Sequence, residues 1–223
     1  LESVDPNFQA KIVIFDLDKT LATCNVSFLF GRALYKRARL SFFTMIWLVS
    51  VYYLHKIGIL PVRSLHKAAF KKIFHGKGAA ELEVDIKMFF EHEQALYRLP
   101  LVVALQNAQG MGQIVWIQSS SPYCLVAPIA QFFGIQMVTA TQYMVDSAGT
   151  YSELGDVVDG EYKKKELVYF LEKNNIKAAE VVAYSDSILD LPLLETVGRP
   201  IVVCPDAKLK AVAHMRSWQI LDL

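Results

Sequence analysis

Two aspartates one residue apart, Asp16 and Asp18, close the apolar run Ile12 to Phe15 in the segment KIVIFDLDKT. Four apolar residues of mostly β-branched type read as a strand buried on both faces. Charge at the end of such a strand is explained if the strand is parallel, because ligands bind in the crevice at the carboxyl edge of an open α/β sheet. With Leu17 between them and the backbone extended, both carboxylates face the same side. The pair suits a cation, or a division of labour between a nucleophile and an acid. The competing reading is a plain strand-terminating turn, since Asp and Thr are ordinary turn and cap residues.

Three further polar constellations, each attached to its own apolar run, weigh against the plain turn. Gln113 to Ile117 reads as a strand that empties into Ser119, Ser120 and Ser121, and Pro122 opens a helix to Phe133. Proline costs nothing in a first helical turn. Serine hydroxyls beside unsatisfied helix amides make a phosphate site, although serines before a helix are more often simple caps. Gly160-Glu-Tyr-Lys163 opens a lysine-rich helix with Leu167, Phe170 and Leu171 inward. Val181 to Ala183 empties into Tyr184-Ser185-Asp186-Ser187, followed by Asp190. Parallel strand ends share one edge, so these groups can converge. Hard carboxylate oxygens without imidazole or thiolate favour Mg²⁺ over zinc. Hydroxyls, helix amides and a lysine favour a phosphoryl group, and a carboxylate nucleophile beside them adds up to aspartyl-phosphate chemistry.

The elements that must position these groups alternate. Helix Leu101 to Gln109, strand Met137 to Thr141, a hairpin over Gln142 to Val158 around Ala148 and Gly149, and strand Ile201 to Val203 complete the pattern. Strands alternating with helices predict an α/β fold with a parallel sheet and helices on both faces. With 223 residues, 53% of them hydrophobic, the chain is long enough for a core plus a sub-domain and too apolar for disorder. Cys24, Cys124 and Cys204 are far apart and odd in number, which speaks against a disulfide framework or a zinc site and for a reducing compartment. The opening LESVDPNFQA lacks a basic region followed by an apolar core, so no signal peptide is read there.

Asn25 to about Leu99 predicts an all-helical insertion, with the core in residues 1–24 and 100–223. Between Asp18 and Glu81 no acidic residue occurs, against eleven Lys and Arg, so one segment is suited to meet something anionic. Arg32 to Arg39 reads as a basic turn. Leu40 to Leu54 is uncharged and aromatic-rich but shorter than the roughly 20 residues of a spanning helix. It suits a buried helix, an interfacial helix or, least well, a span. Pro61 to Phe74 reads as a basic amphipathic helix with Val62, Leu65, Ala69 and Ile73 on its apolar face. Glu81 to Tyr97 predicts a further helix with Val84, Met88 and Phe89 inward.

Asp16-Leu-Asp18-Lys-Thr20, Ser119 after an apolar strand, Lys163, and Asp186 with Asp190 resemble, in order, the four motifs of the haloacid dehalogenase superfamily of phosphatases. The resemblance covers roughly residues 8–24 and 100–223 and implies a Rossmann-like core. The helical insertion resembles the first-position cap of the phosphoserine phosphatase-like subfamily IB. By resemblance Asp16 attacks phosphorus, and Asp18 protonates the leaving group and later activates water. Thr20 steadies the loop, and Ser119, with Ser120 beside it, and Lys163 neutralise the phosphoryl oxygens. Asp186 joins Asp16 and the Asp18 carbonyl on Mg²⁺, with Asp190 supporting the metal site. Two departures bear on the substrate. Where phosphoserine phosphatases place a glutamate to hold the substrate amine, this chain has about Asn25. Ser185 stands where the fourth motif usually has glycine, so that Tyr184 to Ser187, together with the apolar basic cap, look similar to the phosphatidylglycerophosphatase C branch. The resemblance therefore implies a phosphatase of an anionic lipid phosphate such as phosphatidylglycerophosphate. It would work peripherally at the cytoplasmic face of an anionic membrane, without a nucleic-acid or obligate protein partner. The alternatives are a soluble small-molecule phosphatase, acting on a phosphoserine-like compound or a sugar phosphate, and an inactive membrane-docked binding module.

Overall fold

The computed structural model describes residues 10–92 and 97–223. Its strands are β1 Ile12–Phe15, β2 Ile114–Pro122, β3 Met137–Thr141, β4 Tyr143–Val145, β5 Tyr151–Leu154, β6 Val181–Ser185, β7 Arg199–Val203 and β8 Gln219–Leu221. Its helices are α1 Val26–Lys36, α2 Phe42–Lys56, α3 Val62–Ala69, α4 Ala79–His92, α5 Leu99–Gly110, α6 Tyr123–Phe132, α7 Gly160–Asn174, α8 Leu191–Leu194 and α9 Ala207–Met215. Six strands form one sheet in the order β3-β2-β1-β6-β7-β8, all neighbours parallel, and β4 and β5 make the expected antiparallel hairpin.

Strand alternation divides the core into two layers. Ile12 and Ile14 face Leu167 and Leu171 of α7, Leu193 and Leu194 of α8, and Leu209 of α9. Val13 and Phe15 face the layer of Leu101 and Leu105 of α5 and Leu125 and Ile129 of α6. Each fully buried side chain of this size contributes about 1.5–3 kcal/mol by leaving water, so both faces of the sheet need their helices. The second layer continues without a break into α1 and α4 through Phe30, Phe74 and Phe89, whose rings pack edge-on or tilted at 5.7 and 6.4 Å. Helices α1 to α4 thus sit over the carboxyl edge of the sheet on apolar contacts rather than on charge.

Four local expectations are corrected. Arg32 and Lys36 lie on α1, so the chain turns only at Arg37, with Ala38 in the left-handed region. Leu40 to Leu54 is not a buried helix: of α2 only Val51 is buried, because the helix lies on the rim of a cavity. Nor is it a span, since no helix among the described residues is long and apolar enough to cross a membrane. On α4 the inward residues are Leu82, Ile86 and Phe89 together with Asp85, while Val84 and Met88 face solvent. Arg39 donates to Asp85 at 3.2 Å and to Glu81 at 2.5 Å, which turns that acidic stripe toward the basic segment and fixes the helix phase. The expected continuation of α4 over residues 93–96 lies outside the described residues.

Gly160 opens α7 against the turn before α8. A Cβ there would overlap the Leu189 carbonyl oxygen. Overpacking against backbone cannot be relieved by a rotamer change, so Gly160→Ala should cost about 3 kcal/mol, measured by urea unfolding. A loss within experimental error would show that α7 can shift from this turn.

Candidate active site

β1 is the strand from which the sheet order runs to β2 and β3 on one side and to β6, β7 and β8 on the other, the arrangement that leaves a crevice at the strand ends. Register decides what meets there. Phe15 pairs with Ile117 and with Tyr184, and the Phe15 and Tyr184 rings stack at 4.8 Å. Asp16 is therefore level with Gln118 and Ser185, one residue short of Ser119 and Asp186. The Asp16 amide donates to the Tyr184 carbonyl at 3.0 Å, and the chain then folds into a wide turn over Leu17–Leu21 with Lys19 at φ 60°. Leu17 is fully buried, so Asp16 and Asp18 both line the cavity, as their spacing predicts.

Lys163, one turn into α7, enters from the other layer. The Asp159 side chain caps that helix by accepting the Tyr162 amide. The buried Lys163 ammonium donates to Asp16 at 2.7 Å and to Asp190 at 2.8 Å, and Asp190 also accepts the Ser185 hydroxyl at 2.7 Å. Asp190 thus holds the lysine. Burial alone would lower the Lys163 pKa, but the Asp16 and Asp190 carboxylates raise it above its ordinary value, and the lysine stays charged. Burial pushes Asp16 well above the usual carboxylate range, opposed by Lys163 and reinforced by Asp190, Asp186 and Asp18. Asp186 is pushed up to about 7 by burial, with Lys19 opposing and Asp190 and Asp18 adding. The Thr20 hydroxyl reaches Asp186 at 3.5 Å.

The Asp18 carboxylate is turned toward the helices. It accepts the Val26 amide at 2.7 Å and the Ser121 hydroxyl at 2.6 Å, with Ser119 at 3.4 Å. Burial raises its pKa, partly offset by Ser121 and Val26, so a proton is retained more easily than on a surface aspartate. Ser119 is fully buried, with its oxygen accepting the Ser121 amide at 3.0 Å, while Ser120 and Ser121 line the cavity. The serine run is part of β2 rather than a loop after it. Sequence reasoning named Ser121 with its neighbours but not as the hydroxyl that meets Asp18, since the three serines are indistinguishable by type, and it missed the pair His66 and Tyr143. His66 sits on the apolar stripe of α3, is buried, and its Nδ1 lies 3.0 Å from the Tyr143 hydroxyl of β4.

No group of three His, Cys, Asp or Glu side chains among the described residues is spaced to hold a metal ion. The carboxylate of Asp18 is committed to Val26 and Ser121, which leaves its main-chain carbonyl as the group it could offer. Two carboxylates, Asp16 and Asp186, and a carbonyl are a hard-oxygen set of the kind Mg²⁺ takes together with water. Five aspartates line the cavity, against Lys19, Lys56, Lys163 and Lys208, and burial raises the pKa of both Asp16 and Asp186. The donor set fits a small divalent cation.

The cavity over these groups measures about 470 Å³. Its floor is the polar cluster just described. Its helical wall is apolar, with Phe28 and Phe30 of α1, Leu48 and Tyr52 of α2, and Leu65 of α3, and the charged or titratable residues that α1 to α3 add are His55, Lys56 and His66. The acids of the lining, Asp16, Asp18, Asp186, Asp190 and Asp206, all come from the sheet side.

A family model described as haloacid dehalogenase-like hydrolase matches residues 13–195. A phosphoserine phosphatase of Mycobacterium tuberculosis is 33% identical over 112 residues, half of this chain and 36% of that protein. A histidinol-phosphatase of Neisseria meningitidis is 27% identical over 166 residues, 69% of this chain and 74% of that protein. The chain spans 36% to 40% of the length of the mycobacterial and Streptomyces relatives. Among solved structures, a protein of unknown function from Bordetella pertussis Tohama I superposes with a TM-score of 0.81 at 22% identity, over 96% of this chain and 99% of that one. A substrate-bound phosphoserine phosphatase superposes at 0.73 with 17% identity, over 96% and 94%.

Burial drives the His66 imidazole down from 6.5 to about 4, with His55 adding to the effect. The folded protein therefore binds this proton less well than the unfolded chain. Stability from this group is complete above pH 6.5 and is lost as pH falls toward 4. Between pH 7 and pH 5 the loss should be about 2 kcal/mol. His66→Gln, which keeps a hydrogen-bonding group without the charge, should remove that part of the acid limb in urea unfolding at the two pH values. Parallel pH profiles for both proteins would show that His66 is solvated.

Proposed function

We propose, from the premise that this chain belongs to the haloacid dehalogenase-like hydrolases, that it is a Mg²⁺-dependent phosphomonoesterase working through an aspartyl phosphate on Asp16, with the phosphate of an anionic lipid as its substrate. The observation that carries the reading is the two-sided cavity, which has carboxylates and a buried lysine as its floor and an apolar wall without an acid from α1 to α3 above.

In this reading an Asp16 oxygen attacks phosphorus, the bond from phosphorus to the ester oxygen breaks, and Asp18 gives that oxygen its proton. Water then attacks phosphorus while the Asp18 carboxylate takes a water proton, the bond from Asp16 to phosphorus breaks, and inorganic phosphate leaves. A carboxyl held above its usual pKa suits Asp18 for both halves. Lys163, 2.7 Å from Asp16, and Ser120, which lines the cavity, would neutralise the phosphoryl oxygens, while Ser119, buried beneath the lining with its hydroxyl on Asp18 and its oxygen accepting the Ser121 amide, would act through those neighbours. Mg²⁺ would be held by the Asp16 and Asp186 carboxylates and the Asp18 carbonyl, and when bound it supplies charge to offset the carboxylates and the phosphoryl group. Thr20 braces Asp186, and Asp190 fixes the lysine.

The floor sees only the phosphoryl group, so discrimination among esters must come from the helical wall through remote binding energy. That wall suits an apolar substituent, and Lys56 with Lys208 at the cavity suits further negative charge. Phosphatidylglycerophosphate is the first candidate, presented at the cytoplasmic face of an anionic membrane. The names of the relatives favour a second reading, a soluble amine-bearing phosphomonoester. Against it, α1 to α3 contribute no carboxylate to the cavity, and the Asn25 side-chain oxygen is occupied in accepting the Phe28 amide at 2.7 Å.

Asp16→Asn should abolish Mg²⁺-dependent phosphate release with folding intact, and Asp18→Asn should lower kcat about 10²- to 10⁴-fold. Wild-type turnover by Asp16→Asn would end the mechanism. Leu48→Ala should lower kcat/KM for a lipid phosphate by about tenfold, worth about 1.4 kcal/mol, and leave a small chromogenic phosphate nearly unchanged. If a water-soluble metabolite outperforms every lipid phosphate by about that factor, the lipid substrate is wrong and the general phosphatase reading stands.

A further inference from the structure

Helix α2 carries two apolar stripes on nearly opposite sides. At about 100° per residue, Met45, Leu48, Val49 and Tyr52 form one stripe, and all four line the cavity. Phe43, Ile46, Trp47, Tyr53 and Leu54 form the other, and it faces solvent, with Phe43 80% exposed. Ser50, in the middle of that outer stripe, donates its hydroxyl to the Ile46 carbonyl at 2.9 Å, while the Trp47 N–H and the Tyr53 O–H suit the wet side of an interface. A helix apolar all round belongs in an interior, and this one has an interior on one side only.

The apolar surface continues past the end of α2. Lys56, the last residue of α2, and Gly58 in the turn to α3 line the cavity, while Ile57 and Ile59 are 64% and 67% exposed. The cavity therefore has an apolar rim continuous with the outer stripe. From α1 to the turn after α3 the chain carries charge of one sign only. Arg32, Lys36, Arg63, Lys67, Lys71 and Lys72 are exposed on α1, α3 and the turn that follows α3, and the Lys72 ammonium sits 5.7 Å from the centre of the Trp47 ring. Aromatic rings with cations beside them are the composition of a helix lying in a lipid interface. A second copy of this chain would set the same positive face against itself, whereas an anionic bilayer complements it.

We infer that the outer face of α2 docks on an anionic lipid bilayer, which makes α2 the wall between bilayer and cavity and lets the apolar part of a substrate pass from one to the other over Ile57 and Ile59. The passage rests on the lipid-phosphate reading above, while the docking face stands on α2 itself. Interfacial binding of this kind draws on apolar burial and on the attraction of basic residues to an anionic surface, screened by salt.

The test uses the full chain with phosphatidylcholine vesicles and with equimolar phosphatidylcholine–phosphatidylglycerol vesicles, and compares wild type with the double variant Phe43→Ser/Ile57→Ser. Wild type should co-sediment with the anionic vesicles, less so as salt rises, and not with the neutral ones. The variant should lose about tenfold in vesicle affinity and as much in hydrolysis of vesicle-borne phosphatidate, while hydrolysis of a small chromogenic phosphate stays unchanged. Equal binding by variant and wild type would overturn the docking face. So would a wild-type dimer in sedimentation velocity that the variant abolishes. Loss of binding with vesicle hydrolysis unchanged would overturn the passage. Vesicle binding by a chain that releases phosphate from no ester would support docking and contradict the catalytic reading instead.

Discussion

A fully buried ammonium joins the parts of this molecule that chemistry would need. Lys163 bridges Asp16 and Asp190 at 2.7 and 2.8 Å, and through them it ties the end of β1, the start of α7 and the turn after β6 to a single point. Taking three charges out of water is costly, and their mutual attraction offsets that cost only with close geometry and further hydrogen bonds. The Ser185 hydroxyl on Asp190 and the packed glycine at the head of α7 supply these. Asp18 and Asp186 lie outside this bridge with their pKa values raised by burial, and a divalent cation would offset carboxylate charge there.

Much of this was legible in the sequence, because parallel strands buried on both faces are apolar runs and polar residues at their ends have few structural reasons to be there. Asp16, Asp18, Asp186 and Lys163 could be placed from strand ends and helix starts alone. The helices over the sheet were harder to read. Val84 and Met88 look inward on α4 by type, but the phase of that helix is set by Asp85 meeting Arg39 from a distant part of the chain. The aromatic run on α2 reads equally well as buried or interfacial, since composition does not say which side of a helix has a neighbour. His66 was invisible because its partner, Tyr143, comes from a hairpin far along the chain.

The helices and the sheet are also coupled through polar contacts. Asp18 accepts the first amide of α1 and the Ser121 hydroxyl, and Ser121 lies 2.7 Å from Ser27 on α1. The residue to which the proposed mechanism gives proton transfer is therefore positioned by the same helix that shapes the apolar wall. A change in the seating of α1 would move Asp18 without touching Asp16, so binding of a substrate tail and readiness of the acid are physically linked. His66 and Tyr143 add a second tie, from α3 to β4, on the side away from Lys163.

The central claim is that Asp16 carries the phosphoryl group. The most direct measurement is to quench the enzyme in acid during turnover of a phosphomonoester, reduce with borohydride, which converts an aspartyl phosphate to homoserine, and map the modified residue by mass spectrometry. The mechanism predicts homoserine at position 16 alone, dependent on both substrate and Mg²⁺. A phosphoryl group trapped on Ser119, Ser120 or Ser121, or turnover with no modification at Asp16, would contradict it.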